Sequence, residues 1–428
     1  ISGDHKGYAS LQMEKRRGTR YASSDDFVAA FAQSDPGDVT PNTHLNNTGP
    51  GETDVDTTRI MGERQAVVAQ ALFNGAEEAL VGEIDSRRLY VDLSHYAVDD
   101  KFTGMGTQYT CPSAYGYAFA GGSTEDGGGH FLFKEGMTEQ SRWRDWLIRR
   151  IIGAPEWTDS VKTCQAPKAI LLQTGTGTPP LQSQIRSITV ARIGQLVILA
   201  LPAEVTTMAG RRLRDSVMDE LGEWARYIVL AGYANGYAGY ITTPEEYRLQ
   251  QYEGGHTLHG RWSLPAYQQI VSQLAAALES GAPVASHIAY DDWRGKSLGL
   301  PLPSGAGKPL PHGARFGELL TPMAPRYRVG DTVTAKFWST NPTAHFPKGT
   351  NYLLVERKTA SGWSRVADDG DWTTRVRWQL EAGAYVAALS WAIPQDTPSG
   401  EYRLLHVGHD TRGVQFSGTS APFEITDG

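Results

Sequence analysis

The sequence predicts a mixed α/β catalytic domain followed by a C-terminal immunoglobulin-like β-sandwich. Three observations carry this expectation. Helical and strand-like hydrophobic periods alternate through residues 1–285, and only short alternating runs occupy residues 326–428. A Pro/Gly-rich stretch separates the two textures. The chain, at 428 residues and 46.7 kDa, has room for two ordinary domains.

In chain order, Phe27–Ala32 is an apolar, strand-like run. A helix is expected from about Thr57, capped by Asp56, because Ile60, Arg64, Val67, Val68, Ala71 and Leu72 recur at helical spacing. Arg88–Leu93 and Ala169–Gln173 read as strands. Ser187–Arg192 and Leu196–Leu201 read as a hairpin closed through Ile193-Gly194-Gln195. Two further helices are expected, one from about Val205 to Leu221 and one through Leu264, Tyr267, Ile270, Val271, Leu274 and Leu278. Leu300, Pro301, Pro303, Gly305, Gly307, Pro309, Pro311 and Gly313 then make a segment that can be neither helix nor sheet. The expected division is therefore 1–290, a linker at 291–325, and 326–428. In the last part Tyr327–Phe337, Tyr352–Arg357, Arg375–Leu380, Tyr385–Trp391, Tyr402–Val407 and Pro422–Ile425 are short runs punctuated by Gly, Asp and Pro, the pattern of an antiparallel sandwich. No internal repeat is present.

Composition prunes the functional classes. Hydrophobic residues at 40% and aromatics at 10% support a packed core and exclude a disordered chain. Lys and Arg number 40 against 47 Asp and Glu, a net −7 with a pI near 5.9, so the basic footprint of a nucleic-acid binder is missing. No stretch approaches the roughly 20 apolar residues of a membrane span. Ile1-Ser2-Gly3-Asp4-His5 carries neither an initiator Met nor the regions of a signal peptide, and reads as the start of a piece of something longer. Cys111 and Cys164 can form one bridge: in a secreted protein they read as a disulfide, in a cytosolic one as free thiols.

Standard catalytic motifs are absent: no G-x-S-x-G elbow, H-E-x-x-H, P-loop or G-x-G-x-x-G after a strand. The eleven histidines show no local metal-ligand spacing. Four segments nevertheless stand out. Ser34–Asn42 surrounds the Thr40 hydroxyl with Gly, Pro and Asn, either an active-site loop or an ordinary Asx/Pro turn. Leu201-Pro202-Ala203-Glu204 puts a carboxylate between an apolar strand and a helix, where Glu204 either meets the helix dipole or serves as a ligand or base at the rim. Gly232–Tyr240, continuing to Tyr247 and Tyr252, sets tyrosines among glycines and alanines, which suits a ligand site or a stack of core aromatics. Asp368-Asp369-Gly370-Asp371-Trp372-Thr373-Thr374 can gather oxygen ligands for Ca²⁺ or Mg²⁺, or be a solvated acidic turn.

Taken together, these segments resemble the neutral (non-lysosomal) ceramidase family over nearly the whole chain. The matching pieces are Asp4-His5-Lys6-Gly7-Tyr8-Ala9-Ser10, Phe27–Asn42, Ala120-Gly121-Gly122-Ser123-Thr124-Glu125-Asp126-Gly127, Pro202-Ala203-Glu204, Gly232–Thr243, Glu245-Glu246-Tyr247 and Tyr252-Glu253-Gly254-Gly255. The resemblance implies a secreted, extracellular or periplasmic hydrolase that cleaves ceramide to sphingosine and a fatty acid with one zinc ion. It implies three histidines, Glu204 and Tyr240 as zinc ligands, Tyr252 beside the scissile amide as oxyanion stabiliser, and Thr40 as a positioning group or nucleophile. It also implies a structural Ca²⁺ or Mg²⁺ at the junction of the two domains, on Asp369, Asp371 and Thr374, and it strengthens the disulfide reading of Cys111 and Cys164.

Two departures accompany the resemblance. The segment matching the family's histidine ligands lies upstream of Ile1, so a separate N-terminal fragment is the expected partner that supplies them. Thr40 stands where the family carries Ser, and its methyl group stiffens χ1. The rival readings are a zinc amidase on another N-acyl lipid and a non-catalytic lipid-binding relative. The acidic pI argues against strong attraction to anionic lipid, so peripheral membrane contact is expected to rest on apolar loops.

Overall fold

The structure is a computed structural model that describes residues 3–19, 26–152, 157–296, 308–342, 351–410 and 412–426. The chain divides into two compact units, Asp4–Leu298 and Gly299–Gly428. The expected unstructured segment from Leu300 to Gly307 lies outside the described residues, as do Ile1 and Ser2.

The first unit is mixed α/β. Its largest sheet runs in the order Ile84–Asp92, Ile185–Ile193, Leu196–Ala200, Tyr227–Ala231. The first two pairings are antiparallel and the last is parallel. Gly194, at φ +57°, makes the tight hairpin turn that a Cβ would strain. The parallel return needs a crossover, supplied by the helix Thr207–Met218. That helix and the long helix Ser263–Glu279 cover the sheet. Val190, Val197 and Leu199 from the strands meet Leu213, Val217, Ile270 and Leu274 in one buried core. Each such side chain contributes roughly 1.5–3 kcal/mol by leaving water.

Element boundaries differ from the sequence reading for local reasons. The second helix is Asp54–Asn74, capped by Thr53, whose hydroxyl accepts from the Asp56 amide at 3.2 Å. Asp56 is therefore inside the first turn. Val205 belongs to a short strand, and the helix expected from it begins at Thr207. The apolar run Phe27–Ala32 forms no strand. Its backbone bonds to side chains, with the Ala29 amide donating to Glu14 and the Phe27 carbonyl accepting from Thr19. The helices Asp4–Arg16 and Arg142–Ile152 were not foreseen.

Cys111 and Cys164 are joined in a disulfide across a sequence separation of 53. Gly260 packs against it at φ +81°, where a Cβ would sit 2.7 Å from Cys111 Sγ.

The second unit is β-rich. One sheet runs Arg326–Arg328, Phe423–Thr426, Gly400–His409, Leu353–Thr359, Gly362–Asp368, with Gln415–Thr419 also paired to Gly400–His409. The other runs Thr332–Ser339, Ala384–Ala392, Thr374–Glu381. Val333, Phe337 and Trp391 of the second sheet share a buried core with Leu353, Leu404 and Phe423 of the first. Arg326–Arg328 pairs parallel to Phe423–Thr426, so the unit is not purely antiparallel. The run expected over Tyr327–Phe337 breaks at Gly330, at φ +88°. Gly317 and Leu320 bond to the backbone of Trp338 and Lys336, so part of the segment expected as linker runs beside a strand.

A candidate active-site cleft

A cleft of about 510 Å³ opens in the first unit, and Thr40, Glu204, Tyr240 and Tyr252 all line it. Four segments remote in sequence bring these side chains together.

Glu204 and Tyr240 are paired by the backbone. Beyond Leu201 the chain leaves the main sheet, and Glu204–Val205 forms a two-residue parallel pair with Tyr240–Ile241, in which Glu204 stands directly opposite Tyr240. The sequence left open whether Glu204 serves the following helix. Asp38 takes that role: its Oδ1 accepts from both the amide and the hydroxyl of Thr207 at 2.8 Å. Glu204 is left to the cleft.

The Thr40 segment is clamped to the edge of the Glu204–Val205 strand. The Gly37 amide donates to the Val205 carbonyl at 2.9 Å, and a Cβ at Gly37 would lie 2.9 Å from Thr206 N. Asp35 pairs with Arg214 at 2.7 Å on the same face. Thr40 Oγ1 donates to Asp126 Oδ1 at 3.3 Å and accepts from the Asn42 amide at 3.2 Å. Asn42 Nδ2 donates to the same Asp126 oxygen at 2.5 Å.

Tyr252 opens the short helix Tyr252–His256, and its ring meets that of Tyr240 edge-on at 5.6 Å. Gly255 allows this helix to lie against Tyr117–Gly121, since a Cβ there would sit 2.5 Å from Phe119 N. Burial, followed by the charge of Glu204, pushes the Tyr252 phenol up to about 12. Burial and the same carboxylate push Tyr233, Tyr237 and Tyr240 above the ordinary phenol value as well. Tyr237 Oη donates to Glu204 Oε1 at 2.5 Å.

Profiles of the neutral/alkaline non-lysosomal ceramidase family match the chain in succession, the N-terminal domain over residues 1–269 and the C-terminal domain over 271–425. The chain belongs to the neutral/alkaline non-lysosomal ceramidase family. It is 37% identical to the neutral ceramidase of Pseudomonas aeruginosa over 99% of its own length and 64% of the relative's. Against the neutral ceramidase of Oryza sativa subsp. japonica it is 36% identical, over 97% of this chain and 58% of that one. A solved structure described as ceramidase complexed with C2 superposes with a TM-score of 0.85 at 34% identity, covering all of this chain and 67% of that one. The neutral ceramidase structure from Pseudomonas aeruginosa gives 0.79 at 32% identity, covering 66% of that chain. The chain thus spans about three-fifths of the length of the curated relatives it matches.

Within this ceramidase-family cleft, Glu204 and Tyr240 are oxygen donors of kinds that zinc accepts, registered opposite one another. They fit as part of a ligand set but fall short of four. Among the described residues no group of three or more His, Cys, Asp and Glu side chains gathers to hold a metal. Asp369, Asp371 and Thr374 lie in the second unit, in the turn between Gly362–Asp368 and Thr374–Glu381. Thr374 Oγ1 donates to the Asp368 and Asp371 carbonyls, and Asp371 Oδ2 accepts from the Asp368 amide. Asp369 Oδ1 is buried without a hydrogen bond.

Two features escaped the sequence reading. Among the described residues the cleft is lined by seven carboxylates, Asp38, Glu125, Asp126, Glu135, Glu204, Glu246 and Glu253, and by no Lys, Arg or His. Burial, then the charges of Glu135, Glu125 and Asp38, raise Glu253 to about 7. Behind the tyrosines lies His256, buried with neither ring nitrogen hydrogen-bonded. Tyr115, Phe119, Tyr237, Tyr240 and Tyr252 surround it, and burial lowers it to about 3, so it is a neutral ring. The only sequence signal was one His after a Gly pair.

Proposed function

We propose that the cleft is the amide-hydrolysing site of an N-acylsphingosine amidohydrolase, which cleaves ceramide to sphingosine and a fatty acid. The observation that carries this reading is the convergence of Thr40, Glu204, Tyr240 and Tyr252 on one cleft in a ceramidase-family chain. Glu204 and Tyr240 would hold the zinc ion, with the histidine donors expected from sequence upstream of Ile1. Bound zinc polarises a carbonyl and activates water, which a stable amide requires.

The chain's own groups do the rest. Tyr252, protonated throughout the physiological range, donates to the carbonyl oxygen as charge develops there. Thr40, held by Asp126 and Asn42, orients the polar head of the substrate. Tyr237 holds one oxygen of Glu204 and fixes the carboxylate's orientation. A Ca²⁺ or Mg²⁺ on the Asp369 turn would complement the buried, unbonded Asp369 oxygen. The two sheets of the second unit, which share one core, support an immunoglobulin-like sandwich. The disulfide supports an oxidising, secreted location, extracellular or periplasmic.

The test is zinc per chain together with an intact-mass spectrum of every polypeptide present, followed by ceramide hydrolysis. Near one zinc, a histidine-bearing fragment and turnover of N-acylsphingosine sustain the reading. Preference for N-acyl amino acids would move the substrate class, and a zinc-free, inactive preparation of the full-length protein would overturn it.

A further inference from the structure

The helix Arg142–Ile152 carries an unusual outer face. Trp143 and Trp146 are 52% and 63% exposed, and Ile151 is 73% exposed. Phe131, in the loop whose neighbours Leu132 and Phe133 share a groove with this helix, is 83% exposed. Single exposed hydrophobics need no explanation, but two exposed tryptophans three residues apart on one helix present a large apolar area of the kind that marks an interaction surface. At 3.6 residues per turn Arg142, Trp146, Arg150 and Trp143 share an arc of about 100°. The helix has four arginines and one acidic residue, Asp145. Asp145 points inward, buried, where it accepts from the Tyr117 hydroxyl and from Gln140. The outer face is therefore aromatic and cationic, on a chain whose net charge is −7.

An apolar groove of about 280 Å³ continues this patch inward, between Leu132 and Phe133 of the loop and Leu147, Ile148 and Ile151 of the helix. The segment that forms one wall, residues 120–135, also lines the cleft through Ser123, Glu125, Asp126 and Glu135. Surface and cleft are two ends of one loop.

We propose that the Arg142–Ile152 helix and Phe131 form a docking surface for a bilayer carrying anionic headgroups. Tryptophan suits the interface because its ring is apolar and its N–H seeks a polar partner. Arginine stems lie along apolar surface while their guanidinium groups reach phosphate. Charge complementarity selects the occupant: a neutral or cationic surface offers nothing to Arg142 and Arg150, whereas an anionic leaflet does. Among the described residues no helix is long and apolar enough to cross a membrane, and the contact proposed for this helix lies at the bilayer surface. The local charge overrides the acidic pI, which describes the whole chain and not this face. The inference does not depend on the amidase reading, because binding is measured apart from turnover.

The experiment sediments the purified, full-length protein with vesicles of phosphatidylcholine alone and of phosphatidylcholine with phosphatidylserine. The expected result is about tenfold or greater preference for the mixed vesicles, weakening as salt is raised. Trp143→Ala/Trp146→Ala should lower binding to both by roughly tenfold, with an unchanged melting temperature because both rings are exposed. Arg142→Gln/Arg150→Gln should remove the preference and leave the weaker phosphatidylcholine binding. Either pair binding as the unmodified protein does would overturn the proposal. So would a concentration-dependent dimer lost in the tryptophan variant without any vesicle binding, which would make this face a protein interface.

Discussion

The Tyr237 phenol donates to Glu204 at 2.5 Å from Oη to Oε1, and it holds the carboxylate that stands opposite Tyr240. Removing the phenol oxygen takes one donor from Glu204 Oε1 without altering the backbone pair. Tyr237→Phe should lower zinc affinity or turnover by about 10–100-fold, the usual effect of losing an outer hydrogen bond to a metal ligand. Chelator competition on the intact protein measures it, and unchanged affinity and rate would remove Tyr237 from the site.

Thr40 has two possible roles that one substitution separates. Thr40→Val keeps the shape and the branched Cβ but cannot hydrogen-bond. A positioning role predicts a rate within about 10²-fold of the parent. A nucleophile predicts loss on the order of 10⁶-fold. Single-turnover ceramide hydrolysis distinguishes them, and we expect the smaller effect.

Tyr252→Phe should reduce kcat while leaving bound zinc unchanged, since the phenol is assigned to the developing oxyanion and not to the metal. Zinc analysis before and after dialysis checks the second half of that statement. Concurrent metal loss would contradict the role.

Glu253 gives a pH signature of definite sign. Its carboxyl is raised in the folded protein to about 7, above its unfolded value, so the native state binds the extra proton. Stability from this group is present at low pH and declines as pH rises from the unfolded value through about 7. Denaturant melts of the parent and of Glu253→Gln should diverge over that window, with the variant relatively more stable at pH 8. Parallel curves would show that Glu253 titrates normally.

The disulfide closes a loop of 53 residues, which in the chain-entropy model is worth about 4 kcal/mol. Cys111→Ser/Cys164→Ser should lose close to that amount in urea unfolding. Gly37→Ala should cost about 1–3 kcal/mol by overpacking against the Thr206 backbone, and should also displace Thr40.

Much of this was legible from the residues. The periods of Ser263–Glu279 and of the hairpin strands follow directly from which side chains are buried. Short motifs placed Glu204, Tyr240 and Tyr252 near one another only through family resemblance, because a two-residue parallel pair has no period to read. Phe27–Ala32 misled because its composition suits a strand, whereas its hydrogen bonds go to Glu14 and Thr19, which no local pattern announces. Arg142–Ile152 divides its apolar residues between two faces, Ile148 packing inward while Trp143 and Trp146 are exposed, so no single apolar stripe announces it. The buried, unbonded imidazole of His256 was invisible for a different reason: tertiary packing alone surrounds it with rings.

The ring of seven carboxylates bears on what leaves the cleft after an amide is cut. Hydrolysis at neutral pH yields a fatty acid anion and a protonated long-chain amine. Apart from the zinc proposed on Glu204 and Tyr240, the lining among the described residues offers a counter-charge to the amine and none to the acid. The acid should depart early and the amine last, so that added sphingosine inhibits competitively while added fatty acid scarcely competes. Reversal of the reaction would then be limited by how readily the anion re-enters.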